Sequence, residues 1–561
     1  MKKAVSILIT VCIILCAVPS FYASDIITGK SGDNITYTFS FDTGVFTVTG
    51  TGAMYDYAQY WDPPYHWSIQ NKRAVKKVVI GEGITRIGSN SFSGFQYAES
   101  IQLPESLTEI GENALGSFSR VKSLTLPKNL KRIEYRALCG FSSITSLVLP
   151  DSLTYIGENA FEFCSEMTSI NIPKNVETIG ACLFKDCYQL KNVTVSPENK
   201  YFTSDGSCLY RGNELVCLYG NDTQYNMPAN ITSIYKKAFF RKEALKSVTI
   251  AEGITEIPDE CFDCCYNLTS VKLPSTLEKI GTGAFSLCEK LETIVIPDSV
   301  TTIGKSAFNC CSALNNVDIP ASVKRLESGT FSGCSNLYNF TLHEGLEYAD
   351  AAFWGLPIEE FVMPNSLTGG SVLSGCDKLK RIVFSKKMTE IPDGMLESCN
   401  ALESIEIPRH ITSIGSAFCY CDALKYAVIP ETVEHIDPGA FWSCSKFSDV
   451  YYYGTEKQWA KLTEPDEYNQ TNGTLLAAKV HFLRTRMQDG KIMFTPNDLP
   501  NGCTVLFVFE RGGKIESIKK AVNNGETIYL DKPESCDSGR VLFLDNEKNI
   551  MPICEQEQMR F

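Results

Sequence analysis

Histidine is scarce. Five are spread over 561 residues, at positions 66, 343, 410, 435 and 481, and none is paired at a ligand spacing. There is no H-E-x-x-H run, which would set two imidazoles one helical turn apart for zinc, and scattered histidines of this kind read as surface or satisfied side chains. A G-x-S-x-G nucleophile elbow, a Walker loop and a dinucleotide fingerprint are missing as well. GTGAF (281–285) has the glycines of a phosphate loop, but it recurs as the turn of a repeat. Cys–His catalysis needs one thiol set apart from the rest, and none is distinguishable. No catalytic residue, metal ligand or cofactor is therefore assigned, and an enzyme is not expected.

A basic excess is missing too. Lys and Arg total 52 against 65 Asp and Glu, for a net charge of −13. That argues against nucleic acid and anionic membrane surfaces as partners. Long apolar runs are confined to the first residues, MKKAVSILITVCIILCAVPSFYAS, where Lys2 and Lys3 precede an apolar stretch and small residues. Residues 1–24 read as a secretory signal peptide. No transmembrane span is expected in the mature chain, nor is an LPxTG-type sorting signal seen.

What the chain has in abundance is repetition. Short runs ending in proline, IQLP (101–104), LTLP (124–127), LVLP (147–150) and INIP (170–173), place their prolines 23 residues apart, and the beat resumes at VKLP, IVIP and VDIP (271–320). The unit is L-x-x-I-x-I-P-x-x-V-x-x-I-G-x-x-A-F-x-x-C. Alternation in I-x-I marks a strand with one face inward, and proline ends it. V-x-x-I supplies a second short extended segment. The glycine (Gly157, Gly281, Gly304) is expected to permit a sharp turn, and A-F-x-x-C to pack inward on a helical or 3₁₀ turn. One such unit cannot bury its own apolar face, so stacking is obligatory. About sixteen coils are expected over 76–455, with an insertion at 196–228 whose hairpin turns at Gly212-Asn213.

These residues resemble the BspA-type leucine-rich repeat family of bacterial and some protist surface proteins. The segment SGDNITYTFSFDTGVFTVTGTGAMYDY is similar to the β-hairpin N-cap of members from gut anaerobes. The resemblance implies a right-handed solenoid of parallel strands with short turns, a β cap over 25–75, and a role in matrix-protein binding and cell attachment. Residues 456–485 read as a degenerate last coil and connector. Residues 486–561 do not repeat; CTVLFVF, ETIYL and GRVLFL suggest a small β-sandwich.

Of 23 cysteines, two lie in the leader, leaving an odd 21. Ten occupy the last slot of the repeat: Cys164, Cys187, Cys265, Cys288, Cys311, Cys334, Cys376, Cys399, Cys421 and Cys444. Upstream coils place Phe95, Phe118 and Phe141 there, and a position that accepts Phe or Cys is a packing position. A buried thiol ladder is the favoured reading, with a disulfide ladder or a zinc site as alternatives. Cys208 and Cys217 form a candidate disulfide, because a two-residue turn would set them opposite each other.

The remaining feature is surface. The outward residue of each I-x-I strand forms a column of β-branched and polar side chains, which suits any exposed parallel sheet. Its C-terminal part gathers Val362, Val383, Val428 and Tyr451, with Tyr453, Trp442 and Trp459 expected nearby, a candidate face for binding proteins. Trp61, Tyr65 and Trp67 are expected to pack in the cap. Two functions stand open: a monomeric, secreted or surface-exposed adhesion protein that uses this face, or a secreted enzyme or carbohydrate-binding protein whose active module is the C-terminal domain, with the repeats as spacer.

Overall fold

The computed structural model describes residues 26–57, 69–464, 473–482, 485–488, 491–495, 504–511, 514–534, 536, 538–544 and 557–559. The expected signal peptide and Trp61, Tyr65 and Trp67 lie outside the described residues. The chain is a repeat array of parallel β-strands, about sixteen turns with very little helix. It divides into two compact units. One holds residues up to Thr223 together with Asn230–Ala244, the other Gln224–Ala229 together with everything from Leu245.

The first unit begins with three antiparallel strands, Ile26–Gly32, Ile35–Ser40 and Val45–Gly50. Their alternation sends Tyr37, Phe39, Phe46 and Val48 inward. The Phe46 ring meets Phe92 and Phe95 at 5.8 and 5.6 Å. The third strand then pairs in parallel with Lys77–Ile80. The cap thus covers the apolar end of the array and supplies the first rung of its ladder.

Every coil has three sides. I-x-I runs build one parallel ladder, as in Ser146–Val148, Ser169–Ile172 and Asn192–Val195. V-x-x-I runs build a second, from Ile84–Ile87 to Thr178–Ile179. The A-F-x-x-C segment closes the coil with overlapping i→i−3 turns whose alternate amides cross to the next coil. Around Phe308, Asn309 N bonds to Ser306 O and Cys311 N to Phe308 O, while Ser306, Phe308 and Cys310 reach the carbonyls of Ser328, Thr330 and Ser332 at 3.0, 2.9 and 2.7 Å. Backbone groups are in this way satisfied between coils on the turn side as well.

The turns set two residues per coil in the left-handed region, two before and two after the phenylalanine, such as Ser306 (φ 54°) and Cys310 (φ 58°). The repeat's glycine serves a different purpose from the turn expected of it. Gly304 has no positive φ; a Cβ there would lie 2.6 Å from Thr282 N. Close approach to the preceding coil's backbone excludes any side chain, and the same holds at Gly157 and Gly281.

In the insertion, Phe202–Ser204, Cys208–Arg211 and Glu214–Leu218 are antiparallel, and the last pairs in parallel with Ser233–Ile234. The hairpin so takes the place of a coil in the second ladder.

Within the second unit the phenylalanines stack face to face. Phe262, Phe285, Phe308 and Phe331 have centroids 5.1, 5.3 and 5.2 Å apart and ring planes within 4°. The outward ladder runs in segments: Asn316–Ile319 pairs with Asn339–Leu342, Glu360–Val362 with Arg381–Val383, and Ser404–Glu406 begins a run that continues to Lys479–Phe482. A helix, Glu456–Leu462, follows the last coil, and Thr455 and Gln458 close its first turn with a capping box. Beyond it, short antiparallel strands enclose a separate core of Ile492, Phe494, Val505, Phe507, Phe509, Cys536 and Val541.

Candidate interaction faces and the cysteine column

All ten cysteines of the last slot are buried. Most of the thiols are aimed at carbonyls along the stack. Cys311 donates to Phe285 O at 3.1 Å, Cys334 to Phe308 O at 3.2 Å and Cys444 to Phe418 O at 3.0 Å, each one coil back. A cysteine here fills a small apolar space and also gives a weak S–H donor to a turn carbonyl. Burial pushes Cys334, Cys376 and Cys421 up to about 12 and Cys444 to about 11, and it raises Cys288, Cys311 and Cys399 as well. Cys164 is raised by its hydrogen bond with Cys187 and by burial. Since the thiolate is the nucleophile and the metal ligand, these thiols are chemically quiet. Among the described residues, no three His, Cys, Asp or Glu converge as a metal site.

The hairpin cysteines are not opposed. Cys208 lies opposite Leu218, and Cys217 opposite Leu209, because a bulge follows at Leu209/Tyr210. A one-residue slip in register puts the two side chains on opposite faces of the ribbon. Both side chains are buried, and burial pushes Cys217 up to about 11.

On the outward strand face, Val148 is 82% exposed, Val295 81% and Val362 60%; Val383 is also exposed. Val428 is not part of this surface. It is 8% exposed, flanked in register by Glu406 and Tyr451, whose longer side chains stand on either side of it. Tyr451 is half-buried, edge-on to Tyr426 at 5.5 Å and stacked on His481 at 4.7 Å. His481 in turn meets Asp449 at 2.8 Å. Tyr453 is half-buried, and Trp459 is buried against Tyr452. Trp442 is exposed, but it belongs to the turn side, 5.1 Å from Tyr420. The expected patch is thus divided: Val362, Val383 and the half-buried Tyr451 lie on the strands, and Trp442 on the turns.

The BspA-type leucine-rich repeat region matches residues 68–191, 214–276, 255–371 and 369–448, in six copies. The chain belongs to the BspA-type leucine-rich repeat family. No curated protein was found to match it. Among solved structures it is similar to a leucine-rich repeat protein from Eubacterium ventriosum (24% identity, 75% of this chain and 95% of that one, TM-score 0.47). It is also similar to one from Bacteroides ovatus (23%, 81% and 99%, TM-score 0.36) and to a leucine rich cell surface protein from Faecalibacterium prausnitzii (22%, 78% and 97%, TM-score 0.31).

In this BspA-type array the turn side holds features that reading the repeat did not find. Phe163, Trp354 and Tyr420 are exposed there, one or two residues past the buried phenylalanine. Aligning the two variable positions before the cysteine would have brought them out. At the first of these positions Glu162 is buried, yet it is held by Lys185 at 2.7 Å and Arg136 at 3.1 Å.

Proposed function

We propose that this BspA-type protein is secreted or held at the cell surface, is not an enzyme, and binds other proteins through its outward strand face. The observation that carries this reading is the exposure of Val362 and Val383 on short parallel strands of the second unit, with Val295 exposed in the same column. Aliphatic side chains on a fixed backbone lose little conformational freedom when a partner covers them, and exposed apolar patches mark interaction surfaces. Adhesion to host matrix or neighbouring-cell proteins is the role this implies, with the chain acting as a monomer.

The test is surface plasmon resonance of the full chain against purified extracellular-matrix proteins, repeated with Val362→Lys/Val383→Lys. Binding is expected to fall at least tenfold with the melting midpoint unchanged. A double variant that binds like the parent would remove the strand face from the account.

A further inference from the structure

Two strands that follow one another along the outward column of the second unit do not pair. Asn316–Ile319 and Asn339–Leu342 form one parallel pair, Glu360–Val362 and Arg381–Val383 another. Between Asn339–Leu342 and Glu360–Val362 the ladder is interrupted. Here the spacing of the column drops from 23 residues (Asp318 to Thr341) to 21 (Thr341 to Val362). A cavity of about 400 Å³ lies at the interruption, lined among others by Tyr338, Phe340, Leu342, Glu360 and Val362. Its volume is within the roughly 300–1,000 Å³ range of ligand sites.

The core is also less covered at this point. Val317 and Ile319 are buried, whereas Phe340 and Leu342, the same inward positions one coil later, are only partly so. The backbone is set up for a strand that is not there. In three coils of this unit the amide one residue past the outward position crosses to the next coil: Ile250 N to Lys272 O at 3.0 Å, Met363 N to Val383 O at 3.0 Å and Ile407 N to Val428 O at 2.9 Å. Leu342 holds that donor position and Val362 the matching acceptor, on strands that do not pair. An unpaired strand edge is a template for another chain.

We propose that this gap is a strand-addition site. It takes an extended segment of another protein as an additional strand between Asn339–Leu342 and Glu360–Val362, with main-chain hydrogen bonds on both edges. The flanking strands are four and three residues long, so the segment seats about three or four residues at roughly 3.3 Å each. Alternate side chains point inward to Phe340 and Phe361, and the outward ones favour a basic residue. Glu360 is the only charged side chain lining the cavity, and its exposed pair with Arg381 at 2.7 Å holds it weakly enough to be shared. The proposal rests on the reading of the strand face as a protein-binding surface and names how one segment of the partner is held.

The probe is a fluorescein-labelled peptide with this chain's own strand sequence, Thr-Ser-Val-Lys-Leu-Pro (269–274), titrated into the full chain by anisotropy and followed by hydrogen exchange. Saturable binding is expected, with slowed exchange confined to 339–342 and 360–363. Glu360→Lys should weaken it at least tenfold, and a probe with Glu in place of Lys should recover that loss. Methylating the probe's valine amide should abolish binding. The proposal is overturned by absence of saturable binding, by equal binding of the methylated probe, by protection elsewhere, or by a dimer in sedimentation that protects the same amides. Matrix-protein binding without peptide binding would overturn strand addition alone. Peptide binding without any matrix-protein binding would overturn the proposed function alone.

Discussion

The thiol of Cys311 donates to the carbonyl of Phe285 at 3.1 Å, across the boundary between two coils. The same residue's amide closes its own turn on Phe308 O at 3.2 Å. One side chain therefore fills the core and links consecutive turns. Cys311→Ala should lower stability by about 1–2 kcal/mol, the sum of one buried apolar group and one modest hydrogen bond. Cys311→Ser, which keeps a donor, should fall between Ala and the parent in urea denaturation. An alanine variant as stable as the parent would reduce the contact to packing.

Burial raises the thiols of Cys288, Cys311, Cys334, Cys376, Cys399, Cys421 and Cys444, so their titration destabilises the fold only at high pH. An unfolded thiol ionises near 9, whereas Cys334 and Cys421 hold their protons up to about 12. The stability this confers is complete below about pH 9 and is lost as pH rises from there through 12. Thermal midpoints should be flat from pH 7 to 8.5 and fall steadily above 9. In the native protein at pH 8, iodoacetamide should reach the half-buried Cys264, Cys310 and Cys419 well before any column cysteine. Mass spectrometry of the labelled protein gives the order.

Phe308 lies between Phe285 and Phe331 in a stack of nearly parallel rings. Phe308→Ala should cost about 3–5 kcal/mol, because packed neighbours close only part of the cavity left behind. Phe308→Leu should cost clearly less. Denaturant midpoints of the two variants would show whether ring stacking or volume matters more.

Glu162 is buried and charged, and Lys185 and Arg136 are what make that tolerable. Lys185→Ala removes one charged hydrogen bond and should destabilise by about 1.5–3 kcal/mol. Adding Glu162→Gln to it should restore part of the loss, since no buried charge is then left short of partners. A double-mutant cycle by calorimetry measures the recovery.

The register of the array was legible because a two-residue strand period and a recurring Phe-x-x-Cys mark inward positions whatever lies between them. What escaped was set by backbone geometry that side chains do not advertise. The left-handed positions carry Arg136, Lys237 and Glu260 as readily as glycine, because inter-coil hydrogen bonds hold the turn against local preference. Counting outward from Gly212-Asn213 failed at Cys208 and Cys217 for a similar reason: a bulge costs one residue of register and leaves no mark in composition. Val428 is equally instructive. Its place in the column was correct, but exposure depends on the length of its neighbours, Glu406 and Tyr451, and not on the column alone.

The parallel rings of Phe262, Phe285, Phe308 and Phe331 carry a meaning beyond packing. Planes that stay within 4° from one coil to the next leave almost no room for rotation, so over this stretch each coil is nearly a straight copy of the last, moved along by about 5 Å. The outward residues Lys272, Val295, Asp318 and Thr341 then stand in a straight file, one cation, one aliphatic, one anion and one hydroxyl at even intervals. A partner strand advances roughly 3.3 Å per residue and would fall out of step with that file within a few residues. A partner lying across the strands therefore reads only a short word of it, and selectivity has to come from which few letters it meets.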